Sequence, residues 1–268
     1  ERGAAPPPPM TSAGAVRDGD GRLVRGDDPI RGAPAGVKRL HEAGVETRFV
    51  SNNPTKPPAA YVDRLGAAGY DVSAADVITA GSVATAYLAE HHADDALYCI
   101  GESGLLDQFT AAGLTTTTDV DAADALVVSI DREFGYDDMA AAMWALERDI
   151  PFIGTDPDVV IPTSDRDQPG SGAVIRSIAA VTGTEPDVVL GKPSQPAVEM
   201  VCDRLAVPPA SCLVVGDRLD TDIAFGERAG MTTVLVRSGI ADEDAVAESD
   251  VKPDHVVDHL GQIDRVLG

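Results

Sequence analysis

The chain has 268 residues, of which 44 are acidic and 21 basic, so its formal net charge is −23. A charge of this size repels polyanions, which argues against nucleic-acid binding and against an anionic membrane surface. No apolar run approaches the ~20 residues that a membrane-spanning helix needs. The length suits a core domain with an insert, and 44% hydrophobic residues can fill a sizeable core.

The acidic surplus is mostly aspartate, because 32 Asp and 12 Glu face 17 Arg and only 4 Lys. Abundant Asp with scarce Lys is the composition expected of a halophilic protein, since a very salty cytoplasm screens the repulsion between like charges. An ordinary acidic protein is the alternative interpretation. The three scattered cysteines, Cys99, Cys202 and Cys212, fit neither a disulfide framework nor a zinc site and indicate a reducing, cytoplasmic location.

Short apolar runs alternate with helical periodicity after a proline-rich segment, residues 1–10, which we expect to be a disordered tail. The predicted strands are residues 13–17, 46–50, 97–100, 125–130, 188–190, 212–216, 232–236 and 255–257. Apolar residues at helical spacing predict helices over 136–148 and 194–206. This alternation predicts an α/β fold with a doubly wound parallel sheet.

Polar side chains follow four of the predicted strands at the point where each strand ends. They are the carboxylates of Asp18 and Asp20, the side chains of Ser51 and Asn52, the ammonium of Lys192, and the carboxylates of Asp217 and Asp222. Ligands of doubly wound sheets bind beyond the carboxyl ends of the strands, so we expect these groups to meet there. Clustered carboxylates need a cation, and oxygen ligands favour Mg²⁺. With Lys192, the set predicts a site for a dianionic phosphate.

Each of these motifs alone is common in turns, and the signal is their order and placement. Together they resemble the haloacid dehalogenase (HAD) superfamily of phosphatases. The resemblance is to its class IIA branch, which includes NagD-like phosphatases and 4-nitrophenylphosphatases. The matching segments are GDDPIRGA at 26–33, SNNPTK at 51–56, VITAGSVATAYL at 77–88, IGESGL at 100–105, PGSGAVIRSI at 169–178, GKPSQPAVEM at 191–200 and GDRLDTDIAFGERAGM at 216–231.

The resemblance implies a role for each strand-end residue. Asp18 would attack phosphorus to form an aspartyl-phosphate, and Asp20 would be the general acid and then the base. Ser51 and Asn52 would hold the phosphoryl oxygens, while Lys192 would neutralise charge there. The Asp18 side chain, the Asp20 carbonyl and Asp217 would bind Mg²⁺, with Asp222 supporting Asp217 from behind. The implied substrates are small phosphorylated metabolites such as sugar phosphates and nucleoside monophosphates.

The resemblance also implies a HAD core with an inserted α/β cap that decides substrate specificity. We expect the core over 11–81 and 187–268 and the cap over 82–186. Asp131, Asp156 and Asp158 of the cap are candidate substrate contacts, although each also suits an ordinary turn. A homodimer or a higher homo-oligomer remains open, as relatives often pair through the cap.

The first motif departs from the pattern of the family. Asp-x-Asp-Gly-Thr normally follows an apolar strand, whereas here Arg17 precedes the motif, Gly19 separates the aspartates and Arg22 replaces the Thr. Both carboxylates remain, but the loop that carries them is altered. The alternative function is therefore a weakened or inactive homologue that binds phosphorylated ligands. A dinucleotide-binding oxidoreductase is disfavoured because no Gly-x-Gly-x-x-Gly follows the first strand.

Overall fold

The structure is a computed structural model that describes residues 14–18, 24–25, 28–29, 33–163, 165–237 and 243–267. The predicted tail, Asp20 and Arg22 lie outside the described residues. In the described part of the chain, no helix is both long enough and apolar enough to cross a bilayer.

Fifteen strands are described: β1 Gly14–Asp18, β2 Val24–Arg25, β3 Asp28–Pro29, β4 Glu46–Ser51, β5 Val77–Thr79, β6 Ala96–Ile100, β7 Thr115–Thr117, β8 Ala125–Val128, β9 Phe152–Gly154, β10 Val160–Ile161, β11 Gln168–Pro169, β12 Val188–Val189, β13 Leu213–Gly216, β14 Thr232–Val236 and β15 His255–Val257. The described α-helices are α1 Ala33–Glu42, α2 Pro58–Ala67, α3 Ala80–His91, α4 Ser103–Ala111, α5 Tyr136–Leu146, α6 Ser171–Thr182, α7 Gln195–Asp203, α8 Ala224–Ala229, α9 Glu243–Glu248 and α10 Asp264–Leu267.

A six-stranded parallel sheet has the order β15-β14-β13-β1-β4-β5. Helices connect its strands, and the apolar runs of β13 and β14 are almost wholly buried, as expected where both faces of a sheet are covered. From β1, the strands β4 and β5 follow in chain order toward one edge of the sheet, and β13, β14 and β15 follow in chain order toward the other edge. The direction of the strand order therefore changes between β1 and β13. Such a switch point is where doubly wound sheets bind ligands.

A second parallel sheet of five strands has the order β12-β9-β8-β6-β7. Its central strand β8, with the sequence ALVV, is buried at every position. Two short antiparallel pairs, β2-β3 and β10-β11, complete the strands of the described residues. The α/β fold with a doubly wound parallel sheet is confirmed, while the predicted division into core and cap stays a prediction.

All eight predicted strands are present with small shifts at their ends, and both predicted helices start within a residue of the expected position. The helices end at Leu146 and Asp203, two and three residues earlier than predicted. The strands that the sequence analysis missed are short or polar. For example, β7 is three threonines with two of them exposed, so it carries no apolar run.

One apolar cluster is shared by the two large sheets. Its buried members include Val50 and Val214 from the six-stranded sheet and Val127 and Ile153 from the five-stranded sheet. Helix α3 supplies Leu88 to the same cluster and packs against both α4 and α7. The two sheets are therefore joined by packed side chains as well as by the chain.

Candidate active site

The register of three neighbouring strands places the predicted site residues side by side. Strand β1 lies between β13 and β4, and Asp18 at its end pairs with Val50 of β4, one residue before Ser51. On the other side Arg17 pairs with Val215, two residues before Asp217. Because all three strands are parallel, β1 ends at Asp18, between the segments that carry Ser51 and Asp217.

Ser51 is the last residue of β4, and its side chain is buried. The Ser51 Oγ accepts a hydrogen bond from the backbone amide of Asn53 at 3.0 Å. It also lies 2.9 Å from the hydroxyl of Tyr61, which is carried by α2. Two neighbours thus hold the hydroxyl of Ser51 at the carboxyl edge of the sheet.

The Asn52 side chain joins two segments that are 140 residues apart. Its Oδ1 accepts from the Lys192 amide at 2.7 Å, and its Nδ2 donates to the Lys192 carbonyl at 3.1 Å. Gly191 makes this close approach possible: its φ is +78°, and a Cβ there would lie 3.1 Å from Asn52 Oδ1. The Gly-Lys-Pro loop is therefore fixed against the end of β4 by the amide of Asn52.

The ammonium of Lys192 is buried at this edge, with only 3% of the residue exposed. Its Nζ lies 2.7 Å from Asp222 Oδ1 and donates to the Val50 carbonyl at 3.2 Å. Since Val50 is the register partner of Asp18, the cation lies next to the end of β1. Burial of a charge is tolerated only where it is paired and hydrogen-bonded, as Lys192 is here.

Asp222 uses its second oxygen to organise the loop after β13. Oδ2 accepts from the backbone amides of Asp217 and Arg218 at 3.1 and 3.2 Å. Asp222 belongs to a short π-helical turn, Leu219–Ile223, which folds back onto the strand end. A Cβ at Gly216 would lie 2.2 Å from that of Asp222, so only glycine permits this approach. The Asp217 carboxylate, fully buried, is thereby held beside the end of β1.

The loop after β9 brings a carboxylate of the five-stranded sheet to this cluster. Asp158 Oδ1 lies 3.1 Å from Arg218 Nη1, and it accepts from Asn52 Nδ2 at 3.4 Å. Burial raises the pKa of Asp158, and the nearby cations Arg218 and Lys192 only partly offset this effect. The Asp158 carboxylate therefore bridges the two sheets through residues adjacent to the predicted metal and phosphate ligands.

Asp156, two residues earlier, is almost fully buried in the same loop. Its Oδ2 accepts from the hydroxyl of Thr155 at 3.2 Å and its Oδ1 from the amide of Asp158 at 3.2 Å. Burial, aided by the neighbouring charge of Asp158, raises the pKa of Asp156 to about 8. At neutral pH this carboxyl group is mainly protonated.

Among the described residues, Asp131 makes no hydrogen bond or ion pair with the members of this cluster. It follows the end of β8, and its carboxylate caps a turn by accepting from the amide of Glu133 at 2.8 Å. Its backbone carbonyl accepts from the amide of Phe134 at 3.3 Å. Two of the three candidate substrate contacts, Asp156 and Asp158, therefore lie beside Asn52 and Gly191, whereas Asp131 lies on a separate turn.

Comparison with known proteins places the chain in a family. The "Haloacid dehalogenase-like hydrolase" model matches residues 15–115, and a HAD-hydrolase-like model matches residues 189–263. The sugar-phosphatase AraL of Bacillus subtilis is 29% identical over 96% of this chain and 94% of its own length. The 5'-nucleotidase YutF of the same organism is 32% identical over 93% of this chain and 96% of its own. The chain belongs to the haloacid dehalogenase-like hydrolases.

A solved phosphatase structure has the same fold as this HAD hydrolase over nearly the whole length of both chains. The p-nitrophenyl phosphatase from Archaeoglobus fulgidus superposes with a TM-score of 0.87 at 33% identity, covering 94% of this chain and 98% of that one. The predicted family is thereby confirmed.

The structure of this HAD hydrolase brings together Ser51, Asn52, Lys192, Asp217 and Asp222. Strand β1 ends among these residues, at Asp18. The side chain of Asp18 and the whole of Asp20 lie outside what is described, so the roles assigned to these residues stay predictions. Sequence reasoning missed Tyr61 and Arg218 as members of the cluster. Arg218 directly follows Asp217 and could have been suspected, but a tyrosine ten residues beyond Ser51 carries no such signal.

Proposed function

We propose that the chain hydrolyses small phosphomonoesters through an aspartyl-phosphate formed on Asp18. The observation that supports this most strongly is the register of β13, β1 and β4. In this register β1 ends at Asp18, between Ser51 and Asp217. A buried ammonium, that of Lys192, lies against the carbonyl opposite Asp18. A nucleophilic carboxylate, a hydroxyl donor and a fixed cation are the groups that phosphoryl transfer requires.

The relatives and structural neighbours are named as sugar phosphatase, 5'-nucleotidase and p-nitrophenyl phosphatase, and the chain is a HAD-type phosphoric monoester hydrolase. Those names support sugar phosphates, nucleoside monophosphates and p-nitrophenyl phosphate as the first substrates to test here.

In the proposed reaction, a carboxylate oxygen of Asp18 forms a bond to phosphorus while the bond to the leaving oxygen breaks. Asp20 gives its proton to that oxygen and then removes one from the water that releases phosphate. The Ser51 hydroxyl and the Asn52 backbone donate to the phosphoryl oxygens, and Lys192 neutralises their charge. Because Lys192 is already held by Asp222 and Val50, little reorganisation is needed during the reaction.

The donor set suits Mg²⁺. Asp217 contributes a buried carboxylate next to the end of β1, and its neighbours in the cluster offer oxygen rather than sulfur or imidazole. Within the described residues no group of three or more His, Cys, Asp or Glu side chains could hold a metal by itself, so the set needs Asp18 and the Asp20 carbonyl. The bound ion would supply charge neutralisation at the phosphoryl group.

The second candidate function is a non-catalytic binder of phosphorylated ligands, favoured by Arg17 and Arg22 in the first motif. A guanidinium beside Asp18 would pair with it and compete with Lys192 for the same carboxylate. Arginines that point elsewhere would leave Asp18 active.

The test is hydrolysis of p-nitrophenyl phosphate with and without Mg²⁺ in molar KCl, followed by a panel of ~100 phosphorylated metabolites. Asp18→Asn is the blank, and the double variant Arg17→Leu/Arg22→Thr is assayed beside the wild type. We expect Mg²⁺-dependent turnover by the wild type. A wild type at the level of the blank, with about 10²-fold more turnover in the double variant, would indicate a weakened enzyme. Turnover by neither protein would favour the binding function.

A further inference from the structure

Helix α4, which connects β6 and β7 of the five-stranded sheet, contacts the loop that follows β4. This strand-end loop, residues 51–56, contains the proposed phosphate ligands at its start. The backbone of α4 approaches the loop closely, because a Cβ at Gly104 would lie only 2.3 Å from the Thr55 carbonyl oxygen. Helix α3 approaches in the same way at Gly81, where a Cβ would lie 2.3 Å from the Pro54 carbonyl oxygen. Two helices thus contact the loop just beyond the proposed ligands.

One side chain of α4 also bonds to the loop. Gln108 Nε2 donates to the Pro54 carbonyl at 3.0 Å and to the Gly104 carbonyl at 2.9 Å. Carbonyl oxygens only accept, so the direction of both bonds is fixed, and the amide nitrogen of Gln108 uses both of its protons. The bond to Pro54 joins residues that are 54 positions apart in the chain.

The peptide between Pro54 and Thr55 connects this contact to the proposed phosphate ligands. Its carbonyl accepts from Gln108, and its amide, that of Thr55, donates to Asn53 Oδ1 at 2.9 Å. A peptide unit is planar, so fixing its two polar groups fixes its orientation. The backbone amide of Asn53 in turn donates to Ser51 Oγ at 3.0 Å. A continuous series of hydrogen bonds and peptide units therefore runs from α4 to Ser51.

We propose that Gln108 is a positioning residue of the phosphate site, which holds the strand-end loop in the shape in which Ser51 and the Asn52 backbone bind the phosphoryl group. The inference rests on the proposed function, in which these two residues bind that group. Gln108 belongs to the five-stranded sheet and the loop to the six-stranded sheet, so the geometry of the phosphate site depends on the packing of one sheet against the other. Donors that are positioned before the ligand arrives bind it with a smaller loss of conformational entropy.

Gln108→Leu tests this role, because it removes both donors and keeps a side chain of similar size. We expect the Kd for inorganic phosphate, measured by calorimetry with Mg²⁺, and the KM for p-nitrophenyl phosphate to rise together by about fivefold, the scale of one hydrogen bond. The value of kcat should change by less than about twofold, since the loop holds the ground state and the transition state alike. Asp107→Leu places the same side chain at an exposed neighbouring position of α4 and should leave the Kd for phosphate unchanged.

Gln108→Glu separates hydrogen bonding from packing, because a carboxylate of the same size only accepts and is repelled by the two carbonyls. At pH 8 we expect a Kd for phosphate about tenfold above that of the wild type at the same pH. At pH 5 the introduced carboxyl, whose pKa is raised by these neighbours, takes up a proton and regains one donor. The ratio of the two Kd values should then fall to about threefold. A purely structural defect would leave this ratio the same at both pH values.

Gly104→Ala tests the approach of the helix backbone independently of Gln108. Its Cβ would displace the Thr55 carbonyl, so we expect a rise of about fivefold in the Kd for phosphate. Gly66→Ala in α2 is the matched control, since a Cβ there has open space around it. Melting temperatures of all the variants, measured in parallel, report any loss of folding.

Two results would each overturn the inference and leave the proposed function intact, provided that the wild type binds phosphate and hydrolyses a phosphomonoester. One is a Kd for phosphate in Gln108→Leu and Gly104→Ala that matches their controls. The other is a Gln108→Glu protein whose Kd ratio to the wild type does not change with pH. A wild-type protein that neither binds phosphate nor turns over any substrate would overturn both.

Discussion

The cluster at the edge of the six-stranded sheet and the Asp156–Asp158 loop after β9 both gather buried carboxylates, but they stabilise them in different ways. At the sheet edge, Asp222 is matched by the ammonium of Lys192 and by two backbone amides. In the loop, the carboxyl of Asp156 accepts from the amide of Asp158, and the described ion pair of this loop joins Asp158 to Arg218. Burial correspondingly raises the pKa of both loop carboxyls.

The two groups of carboxyls therefore differ in how their charges are stabilised. At the sheet edge, opposite charges and backbone amides fix the positions of the charged groups, as the chemistry at the phosphoryl group requires. In the loop, burial and the neighbouring charge of Asp158 raise the pKa of Asp156 to about 8, so the charge of Asp156 depends on pH near neutrality. The loop is therefore the part of the site whose electrostatics respond to conditions.

The largest effect is expected for Asp217. If this buried carboxylate holds Mg²⁺ with Asp18, EDTA should abolish turnover of p-nitrophenyl phosphate and Asp217→Ala should reduce kcat by about 10³-fold or more. Restored activity on adding Mg²⁺ to the chelated wild type, but not to the variant, is the matching control. Full activity after rigorous chelation would contradict the metal site.

Asp222→Asn tests the charge pairing at the sheet edge. The substitution removes the carboxylate that lies 2.7 Å from the buried ammonium of Lys192, so we expect a loss of about 3 kcal/mol in the free energy of unfolding and about 10²-fold in turnover. Asp220→Asn is the matched control from the same turn, since Asp220 is exposed, and it should change stability by less than about 0.5 kcal/mol. Equal effects of the two substitutions would show that the buried pair contributes little.

Asp156→Asn tests the protonated carboxyl of the loop. The pKa of Asp156 is about 8 in the folded protein but near 4 when unfolded, so between these values the folded state binds one more proton. Stability from this group therefore falls as pH rises from about 4 to 8. Asp156→Asn removes that dependence and should gain on the order of 2 kcal/mol over the wild type between pH 5 and 7. Denaturant unfolding at both pH values measures the change, and parallel curves would contradict the raised pKa.

Asp158→Asn and Asp131→Asn compare two carboxylates that both follow strands of the five-stranded sheet. The first loses its ion pair with Arg218, so we expect KM to rise by about tenfold; the second should change KM by less than about twofold. Steady-state kinetics on a sugar phosphate and on p-nitrophenyl phosphate measure both. A larger effect at Asp131 would mean that its turn, and not the bridge to Arg218, contacts the substrate.

The smallest effect of any single charge on stability is expected for the exposed carboxylates of the surface. Exposed carboxylates repel over ~10 Å at 0.1 M salt but only ~3 Å at 1 M, whereas the buried pairs are screened little. With a net charge of −23, the melting temperature should rise steadily with KCl into the molar range. A melting temperature that stays constant between 0.1 M and 2 M KCl would show that the predicted adaptation to salt is wrong.

The sequence predicted the parts of the molecule that depend on local pattern. The apolar runs of β8 and β13 identified central strands, and the rule that ligands bind at strand ends located Ser51, Lys192 and Asp217. Contacts that depend on how distant segments pack were not predictable. Neither the approach of Tyr61 to Ser51 nor that of Asp158 to Arg218 follows from spacing, because each joins side chains from separate elements. The cytoplasmic location and the oligomeric state stay predictions.

The bonds between Asn52 and Lys192 also bear on how the protein reaches its folded state. They close a loop of 140 residues that includes all the strands of the five-stranded sheet. Closing so long a loop is entropically costly, and contacts of high sequence separation form slowly. During synthesis, the segment that carries Ser51 and Asn52 emerges long before Lys192. A nascent chain therefore has no complete phosphate site until most of its length has been made.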